Sequence, residues 1–219
     1  MHILITGANR GIGKALAEAS LARGWRVTGT VRTPAQVADV AATGANVIVC
    51  DMDRPGDIAA AFAGLPPLDI LINNAGVIGP ERQSPTDMDY GGFADTLRVN
   101  TIAPLAVSLA CLPAMAKGGK ILAVSSQMAY MGYRKSDRIA YRASKSALNK
   151  VMQGLATELE PHAVAVALLD PGWVRTDMGG DDADEDVAVV ADGILQVAEK
   201  LTLKDTGLFF RFSGQQRPF

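Results

Sequence analysis

Ile3-Leu4-Ile5-Thr6-Gly7-Ala8-Asn9-Arg10-Gly11-Ile12-Gly13-Lys14-Ala15-Leu16 decides the fold. Ile3–Thr6 reads as a short strand, and Gly11–Arg23 as a helix with Ile12, Leu16 and Ala19 on one face and Gly24 as its stop. Between them the glycines permit a tight turn, close approach of the backbone to an anion, and close packing of helix on strand. The free N–H groups at the helix start then face a phosphate. The pattern is T-G-x-x-x-G-x-G. It is not G-x-G-x-x-G, whose third glycine would fall on Leu16, and it is not a Walker loop, which needs a glycine at Ala8 and Ser or Thr at Ala15. A glycine-rich turn alone is a weak signal that a structural turn also explains. Its place between a first strand and a first helix is what favours nucleotide binding.

The same alternation continues outward. Strands are expected at Val27–Val31, Asn46–Cys50, Leu68–Asn73, Lys120–Ser125, Ala163–Leu169 and Leu208–Phe212. Helical patterns fall at Pro34–Ala42, Ile58–Phe62, Gly91–Thr101, Leu105–Ala116, Ile139–Glu160 and Val187–Lys200, with Pro161 ending the long one. Repeated β-α units with continuously apolar strands imply an α/β fold: a doubly wound parallel sheet of about seven strands with helices on both faces. No repeat or Pro/Ser-rich linker divides the chain, so residues 1–219 read as a single Rossmann domain. Ligands of such sheets bind beyond the carboxyl ends of the strands.

Composition narrows the function classes. The 219 residues carry a formal net charge of −2, which provides no basic field for nucleic acid or an anionic membrane. Glycine is in excess, 22 of 219. The N-terminus lacks a signal-peptide pattern, and no apolar run approaches a membrane span; the longest, Ala163–Leu169, suits a buried strand. His2 and His162 have no clustered ligands, so no metal site is expected. Cys50 and Cys111 read as buried free thiols in a reducing cytoplasm.

At the end of the second strand, Thr28-Gly29-Thr30-Val31-Arg32-Thr33 contains no carboxylate to hold a ribose 2′-hydroxyl. Arg32, with Arg10 from the glycine turn, suits a 2′-phosphate instead, which favours NADP(H) over NAD(H); the bland alternative for each is an exposed surface charge. At the fifth strand end stand Ser125 and Ser126, and the next helix opens with Tyr141 and Lys145 at i and i+4, on one face. A phenol titrating near ~10 is a poor acid–base group at neutral pH. A neighbouring ammonium and a positively charged nicotinamide would lower it, letting it exchange a proton with a substrate oxygen that a serine hydroxyl holds.

These motifs together resemble the short-chain dehydrogenase/reductase family, in its single-domain branch. The matches are Thr6-Gly7…Gly11…Gly13, Asn73-Asn74-Ala75-Gly76, Asn100, the serine pair, Tyr141…Lys145 and Pro171-Gly172. The resemblance runs from Met1 to about Thr176 and more loosely beyond, and is greatest to the C-factor-like and carbonyl-reductase-like members. It implies a carbonyl or alcohol substrate, with Tyr141 as general acid or base and Lys145 on the nicotinamide ribose. It places Asn100 in a water relay reaching Lys145, with a kink or bulge there. Ser126 is the expected catalytic serine, with Ser125 in reserve. The implied cofactor-binding positions are Gly7, Asn9, Arg10, Gly11, Ile12 and Gly13 in the turn, Arg32, and Asp51 and Met52 near the adenine. Asn74, Ala75 and Gly76, then Pro171, Gly172, Val174 and Thr176, complete the set with Tyr141 and Lys145. Asn74, Asp51 and Asn100 each also admit a purely local structural role.

The loop carrying Tyr130, Tyr133, Lys135 and Asp137 is longer than the family pattern, and the segment after Thr176 is short. Met128, Tyr130, Tyr133 and Trp173 are candidate pocket residues, with no charged anchor expected. Gly179 and Gly180 are candidate hinges. The acid run Asp181–Asp186 reads as charge complementing a helix start, or as a screen against anionic substrates. The family implies a homodimer or homotetramer. Two alternatives are weighed, and a hydrolase is excluded. A dinucleotide-binding sensor or signalling protein would share the fold, but this chain keeps both Tyr141 and Lys145. A sugar-nucleotide epimerase or dehydratase would need more than the 43 residues that follow Thr176 (219 − 176). A hydrolase lacks its G-x-S-x-G elbow.

Overall fold

In the computed structural model, which describes residues 1–219, the strands are apolar on both faces because helices cover both. Ile3, Ile5, Ile70, Ile72, Leu122, Val124, Ala165, Ala167 and Leu169 point to one side. Leu4, Leu71, Ile121, Ala123, Val166 and Leu168 point to the other. This alternation within continuous apolar runs is the signature of buried parallel strands.

The sequence folds as β1 (His2–Ile5), α1 (Gly11–Ala22), β2 (Arg26–Val31), α2 (Val37–Ala41), β3 (Asn46–Val49), α3 (Pro55–Ala61) and β4 (Leu68–Asn73). A hairpin follows, β5 (Gln83–Ser84) and β6 (Asp87–Met88), then α4 (Tyr90–Leu97) and α5 (Ala103–Cys111). The remainder is β7 (Met115–Val124), α6 (Ile139–Leu159), β8 (Ala165–Asp170), α7 (Val187–Lys200), β9 (Phe209–Arg211) and β10 (Gln216–Arg217). The main sheet has eight strands in the order β10-β9-β8-β7-β4-β1-β2-β3. The expected seven are parallel, and β10 adds an antiparallel edge on β9. Packing assigns α1 and α7 to one layer and α3, α5 and α6 to the other. The direction of winding reverses between β1 and β4, which opens the crevice where such sheets bind ligands.

Several boundaries differ from expectation. Pro34–Gln36 is a 3-10 turn ahead of α2, and α3 begins at Pro55, three residues before the expected Ile58. The helix expected to reach Ala116 stops at Cys111, and β7 starts at Met115 rather than Lys120. Met115 pairs with Leu68 but Lys120 with Ile70, so β7 loops out surplus residues around Gly118, whose φ is +82°. Those glycines mimic a stop signal.

Between α4 and α5 the chain makes a π-turn over Arg98–Ile102, with Ala103 N–H reaching Arg98 O. Pro104 follows and has no N–H for the Asn100 carbonyl four residues earlier. The bulge expected at Asn100 is therefore present. By length and composition alone the continuous helical stretch Tyr90–Ala114 matches a membrane span, as a core helix also can. In the fold it packs against α3, α6 and β4. His2 is a structural histidine: its ring meets Pro67 O and Thr28 Oγ1 at 2.9 Å each, and burial lowers its pKa.

Gly13 lets α1 rest directly on the glycine turn. A Cβ there would stand 2.0 Å from Gly7 O and 2.5 Å from Asn74 Nδ2. Gly154, exposed within α6, has open space around it. Gly13→Ala should lower the urea-unfolding free energy by about 1–3 kcal/mol through overpacking. Gly154→Ala should raise it by about 0.5–1 kcal/mol, because alanine is the better helix former. Equal midpoints for the two variants would contradict this packing.

Candidate active site

The glycine turn is held against the end of β4 by a polar knot. Thr6 Oγ1 accepts the N–H groups of Asn74 and Ala75 at 2.9 and 3.0 Å. Asn74 Nδ2 donates to the carbonyls of Thr6 and Gly7, and Gly7 N–H donates to Thr30 Oγ1. Gly7 takes φ +69°, and a Cβ there would crowd Ala75. Asn74 thus holds the turn as well as facing the crevice, and Thr6 and Thr30 are partners the motif reading passes over.

A cavity of about 1030 Å³ crosses the carboxyl ends of the strands. Of the expected site residues it is lined by Gly7, Asn9, Arg10, Gly11, Ile12, Arg32, Met52, Asn74, Ala75, Gly76, Ser126, Tyr141, Lys145, Pro171, Gly172, Val174 and Thr176. Three expected residues lie off its wall. Gly13 serves the helix–turn contact. Asp51 pairs with Arg32, Oδ1 to Nε at 3.7 Å, and accepts the Asp53 N–H at 3.0 Å. Asn100 is fully buried, and its side chain is spent: Oδ1 accepts from Val77 N–H, and Nδ2 donates to Val77 O and Ser144 Oγ. The turn's glycines leave no side chain between backbone and cavity, so a dinucleotide's pyrophosphate fits there. Arg10 pairs with Asp177 at 3.0 Å across the cavity mouth. Both arginine pairs are solvent-exposed and worth little, so either arginine can turn to an anionic ligand.

Both serines line the cavity, with different partners. Ser125 is buried and donates to Asn149 Oδ1 at 2.6 Å. Ser126 accepts the Met128 N–H, and its hydroxyl lies close enough to the Tyr141 phenol to favour its ionised form. Burial raises the pKa of Tyr141 and the Asp170 carboxylate adds to this, while Ser126 and the Arg138 charge oppose it. Lys145 Nζ lies 5.8 Å from the ring centroid and donates to Val124 O, and its own pKa is brought down to about 8 by burial.

The surrounding loops hold further surprises. Tyr130 and Tyr133 pack edge to face on each other and do not line the cavity, whereas Met128 and Trp173 do. Lys135, Arg138 and Asp184 also line it, so charged groups are present where none were expected. Trp173 Nε1 donates to Gly179 O, tying down the short segment after β8. Asp186 accepts the N–H groups of Ala188 and Val189, so the end of the acid run caps α7. Gln83, from the small hairpin, accepts the Tyr141 N–H and donates to the Ile78 and Pro80 carbonyls. Asp170 closes β8 beneath Gln127 and Gly172. Neither residue belongs to a local motif.

The family model described as short chain dehydrogenase matches residues 1–186. The C-signal of Myxococcus xanthus is 38% identical over 156 residues, 70% of this chain and 93% of that protein. The carbonyl reductase Sniffer of D. melanogaster superposes with a TM-score of 0.92 at 30% identity, covering 100% of this chain and 99% of the other. An NADPH-bound carbonyl reductase from chicken fatty liver gives 0.90 at 28%, covering 100% and 98%. With sequence motifs, sheet order and crevice all in agreement, the chain belongs to the short-chain dehydrogenase/reductase family.

Proposed function

We propose that this chain is an NADPH-dependent carbonyl reductase, acting reversibly on an alcohol, and that residues 1–219 carry both cofactor and substrate functions in one domain. The observation that supports this best is that Tyr141, Ser126 and Lys145 share one cavity wall with the glycine turn. NADPH supplies the hydride. Gly7, Asn9, Gly11 and Ile12 would hold its pyrophosphate. Arg32 and Arg10 would face the 2′-phosphate, and Met52 and Cys50, which also line the cavity, would border the adenine. Thr176, Val174, Pro171 and Gly172 would frame the nicotinamide. The NADPH of the chicken reductase supports the cofactor choice.

Tyr141 donates its phenolic proton to the substrate oxygen, which Ser126 orients by a second hydrogen bond. A protonated, buried phenol is the form a reductase needs, and the upward shift of Tyr141 supplies it. Lys145, depressed to about 8, exchanges a proton near neutral pH and is suited to resupply the phenol. The Asn100 carbonyl, which Pro104 deprives of its i+4 donor, is the group that would hold a relay water behind Lys145. Exposed Ile102 and Leu109 lie on the α4–α5 stretch, where a homodimer or homotetramer would bury them; light scattering should give a multiple of 23.0 kDa. A reducing cytoplasm, where buried Cys50 and Cys111 stay free, is the compartment this reading implies.

NADPH oxidation is measured with a panel of aldehydes, ketones and quinones. Tyr141→Phe should cut kcat by about 10²–10⁴-fold, with NADPH binding by fluorescence nearly unchanged. Full activity in that variant removes the mechanism. Tight NADPH binding without turnover of any carbonyl would favour a signalling role, for which the C-signal relative is the precedent. Arg32→Ala should weaken NADPH by about tenfold or more and leave NADH alone. Equal losses for both cofactors would argue against a 2′-phosphate contact.

A further inference from the structure

Asp170 is fully buried at the carboxyl end of β8, directly below the catalytic loops. Its Oδ1 accepts the N–H of Gln127, the residue after Ser126, at 3.1 Å, and that of Gly172 at 3.0 Å. Its Oδ2 accepts Nε and Nη2 of Arg217 at 3.0 and 2.6 Å. A buried carboxylate with four donors is a rigid fixture. Through it, one side chain from β10 ties the serine turn to the Pro171-Gly172 turn. The same terminal hairpin places Arg211 on Glu185, whose backbone pairs with Trp173 and Arg175 on the far side of the cavity. We propose that Arg217 is a positioning residue for the reduction, acting through Asp170 on the loops that carry Ser126 and Gly172.

The charges around Tyr141 give this role a distinctive readout. Arg138 stands just before α6 and Lys145 one turn along it, Asp170 comes from β8, and Arg217 from β10 neutralises Asp170. Without Arg217 the carboxylate stands uncompensated and opposes formation of the phenolate. Without the carboxylate, Arg217 favours it. The two single variants therefore shift the Tyr141 titration in opposite directions, which a loss of rigidity alone would not do.

The inference rests on the reductase reading, so the test has one arm that needs turnover and one that does not. In the alcohol-oxidising direction, Arg217→Gln should lower kcat about tenfold or more and move the limb reporting the Tyr141 phenolate to higher pH. Asp170→Asn should move that limb to lower pH. The uncharged pair Asp170→Asn with Arg217→Gln should restore its position, and Arg217→Lys should fall between parent and Arg217→Gln. Separately, hydrogen exchange on the full chain should show faster exchange at Gln127 and Gly172 in Arg217→Gln, with Gly7–Ile12 unchanged. Opposite shifts, with local loosening, support the proposal. A uniform loss of activity with a fixed pH limb, or unchanged exchange at both amides, overturns it. If the parent turns over no carbonyl, the reductase reading fails, and the exchange result alone decides the role of Arg217.

Discussion

The structure depends on two strand ends being locked side by side. The Thr6 hydroxyl takes two backbone N–H groups from the turn after β4, and the Asn74 amide returns two hydrogen bonds to the turn after β1. Each bond is modest, and each satisfies a polar group that would otherwise be costly to bury. Together they set the width of the crevice at the reversal of winding. Gly13 brings α1 down on the same knot, so its N-terminus and the Gly76 turn face one space. Everything that would meet a cofactor is referenced to that junction.

The crevice has two contrasting ends. Toward Arg10 and Arg32 it is exposed, and its ion pairs are replaceable, which suits recognition of a phosphate that must enter and leave. Toward Tyr141 and Lys145 it is buried. There, desolvation acts on the two groups in opposite senses, raising the pKa of the phenol and lowering that of the ammonium.

The sheet was legible because burial on both faces makes strands such as Leu68–Asn73 and Ala165–Asp170 nearly uninterrupted apolar runs. Tyr141 and Lys145 stood out because helical spacing puts them on one face downstream of the serine pair and the glycine turn. The misses share a cause. Gln83 works on Tyr141 across 58 residues, and Arg217 on Asp170 across 47, and no local periodicity reports such pairs. The two-residue strand β10 is too short to carry a pattern, and Gly118-Gly119 conceals the start of β7. Asp51 and Gly13 have the right residue type at the right place but work one step behind the cavity wall.

The π-turn at Arg98–Ile102 can be viewed as one surplus residue in an otherwise regular rod. A helix advances about 100° per residue, so that surplus sets the angular phase of everything after it. Val107 and Cys111 face the sheet, and Ile102 and Leu109 the outside, only because the extra residue is counted. Loss of a single residue between Arg98 and Ile102 would remove that surplus but leave Pro104 in the stretch with no N–H to give. It would also swing Asn100 off Val77 and Ser144, and rotate the α5 core face away from β4. Length variation in this helix is thus barred by phase, because the core contacts of α5 depend on it.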